Sequence, residues 1–370
     1  MSKAFGRKES EANAEDGYEV FVSLLSNADA HVRIRAYHVL AASFSTSAII
    51  PSSALSCLIS SFRFLYDDAD AHERGEILSV TRRLLKRLQS SAATLHKKEG
   101  MTTSAQIRKV LKSYADFSTD YYGFLKKELV PQLSYQRHIL ALQTFPALLQ
   151  IDLPDISLKT VAAEDIFLIK ALLNLVTDPF EDVRSTASGL LENISTTKRN
   201  ALGDALQSAD IVRKANALSS STSRGDHADA AGRFVAISAF DSAPENKASE
   251  DVAHVSRSHE TLLNNTNLLE HYLASVTGLR PTTDFPLHAM LLSIVYMLQN
   301  VQTRHGRQLV EADGLRIVAI CRRIWHLVHD QLCVDSPETA TNEEVEDIIG
   351  GPKDLLAYSW RALRDSRYVE

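Results

Sequence analysis

Apolar residues recur at intervals of three and four along almost the whole chain, as in "LLAYSWRALRD" near its end. Strand-like alternation between turn residues is scarce, and Pro (10) and Gly (14) are few. The pattern predicts an all-α protein. Helices are expected over 17–26, 29–45, 52–66, 71–97, 102–130, 133–150, 163–176, 179–195, 198–218, 228–240, 256–276, 285–301, 312–334 and 352–368. Short connections favour antiparallel neighbours.

Two stretches share a finer pattern. "LLSNADAHVRIRAYHVL" carries Asp29, Val32, Arg33, Ala36 and Leu40. "LLNLVTDPFEDVRSTASGLL" carries Asp182, Val183, Arg184, Ala187 and Leu191, after Asp178-Pro179 in the turn. Each reads as an antiparallel helix pair. The Asp caps free N–H groups, Val and Leu face inward, and Ala lets the helices approach closely. The Arg is placed to reach an Asp of a neighbouring pair. This D…VR..A…L pattern resembles HEAT-type repeats. "PQLSYQRHILALQTFPALL" is a weaker echo, its Arg137 lying 47 residues before Arg184. The expected fold is a HEAT/armadillo-like α-solenoid of antiparallel helix pairs.

Residues 1–16 are expected to be disordered, 17–130 to form N-terminal helical repeats, and 131–370 a second helical domain. Loops are expected at 219–227, 241–251 and 335–351. The last carries six carboxylates between Asp335 and Asp347 and reads as a solvated acidic loop. In the final helix, Leu355, Leu356, Ser359, Trp360 and Leu363 form the expected apolar stripe, with Arg361 and Asp365 on the other side. No Gly, Asn or Pro follows it as a stop signal.

Composition narrows the classes. The apolar fraction of 45% and charged fraction of 23% suit a soluble protein with a real core. A net charge of -6 requires any nucleic-acid surface to be local. Three cysteines, Cys57, Cys321 and Cys333, form no disulfide framework. The last two share a predicted helix about 18 Å apart, too far to bridge. The longest apolar stretch, "AMLLSIVYML", is half the roughly 20 residues a membrane span needs. A cytoplasmic protein outside the membrane is expected.

No phosphate loop, nucleophile elbow or dinucleotide fingerprint is present, so no catalytic residue and no cofactor is assigned. His326, His329 and Cys333 share one helix face in "CRRIWHLVHDQLC". Without a fourth ligand they read as a core helix with Ile324, Trp325, Leu327, Val328 and Leu332, and no metal is assigned. The basic segment is more informative. From Arg74 to Arg137 there are 13 Lys or Arg against 5 Asp or Glu. Ile77, Thr81, Leu84, Leu85 and Leu88 make the expected buried stripe. Arg82 and Lys86 form one outward row, Arg83 and Arg87 the next. Lys97, Lys98, Arg108, Lys109 and Lys112 extend the charge. Such rows suit the phosphate backbone of a structured RNA, with an acidic protein partner or plain solvation as the alternatives.

Further along, an ordered set of motifs resembles the THADA (thyroid adenoma-associated protein) family and its fungal counterparts. The set comprises Tyr135-Gln136-Arg137, Asp182-Val183-Arg184, Ala228 to Arg233, Ser336-Pro337-Glu338 and Leu355 to Arg361, with Trp360-Arg361 as its landmark. The resemblance covers roughly residues 120–370. It implies a non-catalytic scaffold that assists a partner tRNA methyltransferase in 2′-O-methylation of anticodon-loop nucleotide 32. A protein-binding HEAT-repeat adaptor without RNA contact is the alternative. Family members are longer and carry an arginine-arginine-serine-alanine-glycine-leucine-proline motif that this sequence lacks. A fragment of a longer protein, continued by further C-terminal repeats, is therefore expected.

Overall fold

A computed structural model describes residues 18–43, 45–67, 69–99, 105–154, 156–195, 202, 205–206, 210–222, 224–240, 250–280, 282–304, 308–332 and 352–367. The expected disordered N-terminus and acidic loop, the Ser336-Pro337-Glu338 turn and Cys333 lie outside these residues, as does nearly all of the 241–251 loop. The described chain is all-α apart from one two-residue strand pair, in keeping with the α-solenoid class. It divides into two units, residues 1–175 and 176–370.

The first unit contains α1 (18–25), α2 (Ala30–Ala41), α3 (Ser52–Tyr66), α4 (Ala71–Glu99), α5 (Ala105–Lys127), α6 (Tyr135–Leu149), α7 (Leu158–Glu164) and α8 (Ile166–Leu175). Antiparallel strands β1 (Asp152–Leu153) and β2 (Ile156–Ser157) precede α7. This hairpin and α7 were not expected, because two-residue strands leave no periodicity to read. Asp165 then separates α7 from α8, its Oδ1 accepting from the N–H groups of Phe167 and Leu168.

The core of this unit is aromatic. The ring of Phe62 stacks on Tyr121 at 4.3 Å between centroids and meets Tyr37 edge-on. Buried hydroxyls find partners on other helices. Tyr37 bonds Thr81 at 2.8 Å, while Tyr66 bonds both Tyr121 at 2.9 Å and Thr144 at 3.1 Å. Tyr114 accepts from the Ile50 N–H and bonds Ser91. Each pairing removes the cost of a stranded polar group. The expected stripe of α4, from Ile77 to Leu88, is buried throughout.

The second unit contains α9 (Glu181–Ser195), α10 (Ile211–Thr222), α11 (Gly225–Phe240), α12 (Glu250–Ser275), α13 (Leu287–Arg304), α14 (Gln308–Leu332) and α15 (Pro352–Arg367). Two helices occupy most of the expected 219–227 loop, since α10 runs to Thr222 and α11 starts at Gly225. The core joins α11 to α15 through residues such as Leu269, Leu291, Ile294, Ile324 and Ala362. Small residues set the approach of α11 to α13. A Cβ on Gly232 would fall 2.9 Å from Leu292 Cβ and 3.0 Å from the Ser293 backbone nitrogen. Ala228, Ala230 and Ala231 are buried on the same helix.

The terminal helix is rotated from its expected face. Tyr358, Ser359, Ala362, Asp365 and Ser366 are buried, while Trp360 is 56% exposed and Leu355, Leu356 and Leu363 are half-buried. Asp365 faces inward because it accepts from His288 Nδ1 at 3.1 Å and from Arg364. Among the described residues, no helix is long and apolar enough to cross a membrane.

Candidate nucleic-acid interface

Helix α4 is 29 residues long and exposes Arg82, Arg83, Lys86, Lys97 and Lys98. Helix α5, 23 residues long, exposes Arg108, Lys109 and Lys112 near its start. Only residues 100–104 separate the two helices, so Lys97 and Lys98 fall at the same end of a helical hairpin as Arg108 and Lys109. Basic side chains in the opening turns of α5 oppose the helix dipole there. Stability alone gives no reason for that placement.

Arg87 leaves this surface. It is 9% exposed, and its guanidinium donates to four carbonyls, those of Ala41, Ala42, Ala48 and Ile49. The expected second row therefore loses one member, because Arg87 ties the α2–α3 connection to α4. Arg83 stays exposed and points to α2, where its Nη2 lies 2.6 Å from His38 Nε2. Arg35 and His38 are also exposed on α2, so the basic surface spans three helices. Their addition depends on which helices lie side by side, which the local pattern of α2 does not encode.

The family-signature residues take structural positions. Arg137 makes a bidentate pair with buried Glu128, at 2.6 and 2.9 Å. That pair raises the Arg137 pKa above its ordinary value. Tyr135 lies under Arg74, 5.5 Å from guanidinium carbon to ring centroid. Gln136 is half-buried. Asp182 accepts from the adjacent Val183 N–H, and in the turn before α9 Asp178 accepts from Phe180. In the first repeat Asp29 does cap α2, accepting from His31.

Arg184 and Arg233 meet on one carboxylate. Each Nε donates to Asp229 Oδ2, at 2.5 and 3.0 Å, and Tyr296 donates its hydroxyl to Oδ1. Burial pushes the Asp229 pKa up, but the charge of Arg233 and the hydrogen bonds outweigh it, leaving the carboxyl below its ordinary range. Arg184 thus reaches an Asp of a neighbouring helix pair, as the repeat pattern anticipates. Arg361 is half-buried beside Gly225 at the start of α11, whereas Trp360 turns to solvent.

The helix face expected around His326 and His329 differs from a plain core face. Ile324, Leu327 and Val328 are buried, but Trp325, His326 and His329 are exposed, with Trp325 edge-on to His329 at 5.0 Å. Among the described residues no group of three His, Cys, Asp or Glu could hold a metal ion.

Comparison with known proteins adds an independent line. The family model described as Trm732, TPR repeats, matches residues 6–185. That segment holds the basic helices, where the residues carried no recognised family signature. The chain is also 20% identical over 376 residues to the tRNA (32-2′-O)-methyltransferase regulator trm732 of Schizosaccharomyces pombe. The match takes in 93% of this chain and 24% of the relative, so the chain spans about a quarter of that protein's length. An engineered protein solved by crystallography covers 79% of this chain and 99% of its own, at 18% identity and a TM-score of 0.30.

Proposed function

We propose that this chain is a regulatory helical-repeat scaffold that works with a tRNA methyltransferase and contributes no catalytic group of its own. The observation that carries the reading is the match of 93% of the chain to a regulator of such an enzyme. The Trm732-type match over 6–185 and the ordered THADA-like motifs, three of which lie beyond residue 185, support the same assignment. The partner supplies the methyl-donor site, and the scaffold presents the anticodon loop so that nucleotide 32 is modified.

The exposed arginines and lysines of α4 and α5, with Arg35 and His38 of α2, form the surface on which tRNA phosphates are held. Its register with RNA rests on backbone position and shape more than on base identity. The experiment is a ribose-methylation map of tRNA from cells lacking the protein. Loss of the methyl group at nucleotide 32, with restoration on re-expression, is expected; an unchanged map sinks the reading. Restored methylation by a protein whose basic surface is neutralised, with no tRNA binding by the chain itself, favours the adaptor without RNA contact.

A further inference from the structure

Arg233 is 7% exposed and holds Asp229 through its Nε. Its two Nη nitrogens meet no acceptor among the described residues. The guanidinium also lies over the Tyr296 ring, 4.2 Å from its centroid, so it is restrained on two sides. Beside it opens a cleft of about 510 Å³, walled by α9, α11, α13 and α15. That volume suits a small organic ligand.

Three arginines line the cleft, Arg184, Arg233 and Arg364, and three carboxylates answer them, Glu181, Asp226 and Asp229. A ligand with net charge would find no counter-charge in excess there, so an uncharged one is favoured. Most of these groups are spent on neighbours. Asp229 takes Arg184 and Arg233, Asp226 takes Arg224, and Arg364 takes Asp365. Glu181 is the exception. It is exposed in the opening turn of α9, and its side chain pairs with no described residue. Burial above all raises the Tyr296 pKa, and after Asp229 the Glu181 charge adds to the rise, which puts Glu181 near Tyr296. Two unused groups thus flank one tyrosine: a fork of donors and a pair of carboxylate acceptors.

We infer that this cleft binds a guanine base. The unused groups call for an uncharged ring with two adjacent acceptors for a guanidinium and two adjacent donors for a carboxylate. Guanine has both, O6 and N7 on one edge, N1–H and the 2-amino group on the next. No other standard base of RNA offers both pairs. Leu292 and Val295 supply apolar surface for the face of the ring. Two sources share this chemistry, an unpaired guanine of an RNA and a free guanine nucleoside or nucleotide. The site lies within the second unit and does not depend on the methyltransferase reading.

The test is equilibrium dialysis of the whole chain against guanosine, which carries no phosphate. Saturable binding is expected, with adenosine, cytidine and uridine at least tenfold weaker. Inosine, which lacks the 2-amino group, should bind several-fold more weakly than guanosine. Glu181→Ala should weaken guanosine at least tenfold and abolish its advantage over inosine. That variant should keep its melting temperature, since the Glu181 side chain holds no described residue. Arg233→Lys keeps the charge beside Asp229, removes the Nη fork and should weaken guanosine similarly. Glu260→Ala, at an exposed acid outside the cleft lining, should bind as the parent does. Competition by a short single-stranded RNA with one guanine, and none by its adenine counterpart, assigns the site to RNA; failure of both to compete assigns it to a free guanine ligand. Absence of guanosine binding, equal binding of adenosine, or binding indifferent to Glu181→Ala overturns the inference even if Arg233→Lys does not fold.

Discussion

Arg33 and Arg184 make the same grip in the two halves of the chain: each sends Nη1 to the carbonyls six and five residues upstream. Arg33 reaches Asn27 and Ala28 at 2.8 and 2.9 Å, and Arg184 reaches Asp178 and Pro179 at 2.8 and 2.9 Å. The repeat arginine therefore closes its own inter-helix turn before it does anything else. Asn27 and Asp178 brace the same turns, accepting from the N–H two residues on. The two sites differ in depth, and the difference is measurable. Arg33→Ala should cost about 1 kcal/mol, the worth of hydrogen bonds at a partly exposed site. Arg184→Ala should cost about 3–5 kcal/mol, because it also strips a buried carboxylate of a partner. Urea unfolding of the two variants checks the ratio.

Gly232 sits where α11 and α13 nearly touch. Adding a methyl group forces it against Leu292 Cβ and the backbone of Ala289 and Ser293, at 2.9 to 3.1 Å. Backbone cannot step aside as a side-chain tip can. Gly232→Ala should destabilise by about 1–3 kcal/mol despite the better helix propensity of alanine. Urea midpoints equal to or above the parent's would show that the helices separate at little cost.

The arginines of α4 look alike in sequence but should fail differently. Neutralising Arg82, Arg83 and Lys86 together should weaken tRNA binding and make its logarithmic salt dependence shallower by about 2–3, with the fold intact. Arg87→Gln should instead lower stability by about 1–3 kcal/mol through four loosened carbonyls, and leave the salt slope nearly unchanged. Filter binding across a salt series, paired with thermal melts, separates the two.

His288 should make the second unit acid-sensitive. Burial lowers its pKa, and Asp365 only partly offsets this. The unfolded state then takes up a proton near the ordinary value of about 6.5, while the folded state does not. Stability is thus highest above that pH and falls as pH drops toward the folded value. His288→Asn keeps a donor near Asp365 and cannot titrate. It should flatten the decline between pH 7 and 5, by at most about 1.4 kcal/mol per pH unit. Urea midpoints read across that range decide it.

The helical frame was legible because the first-order signal, apolar spacing, is local. The α4 stripe, the repeat arginines and the Asp29 cap all follow from residues within one or two turns of each other. What was not legible depended on partners distant in sequence. Arg87 and Arg83 differ only in what α2 brings to them. Asp365 looked solvent-facing until His288, 77 residues earlier, was set against it. The same holds for Arg233, which shares the Asp229 carboxylate with Arg184 only once α9 and α11 have packed together.

The buried tyrosines of the first unit carry a mechanical consequence. Apolar ridges alone let one helix slide past another by a turn at modest cost. The hydroxyl bonds of Tyr37, Tyr66 and Tyr114 join α2 to α4, α3 to α5 and α6, and α5 to α4, each at a single axial position. A slip along any of these helices strands a hydroxyl in a dry core. The spacing of charges along α4 and α5 is thereby set as on a ruler, so a ligand that bridges them meets fixed intervals and must itself conform.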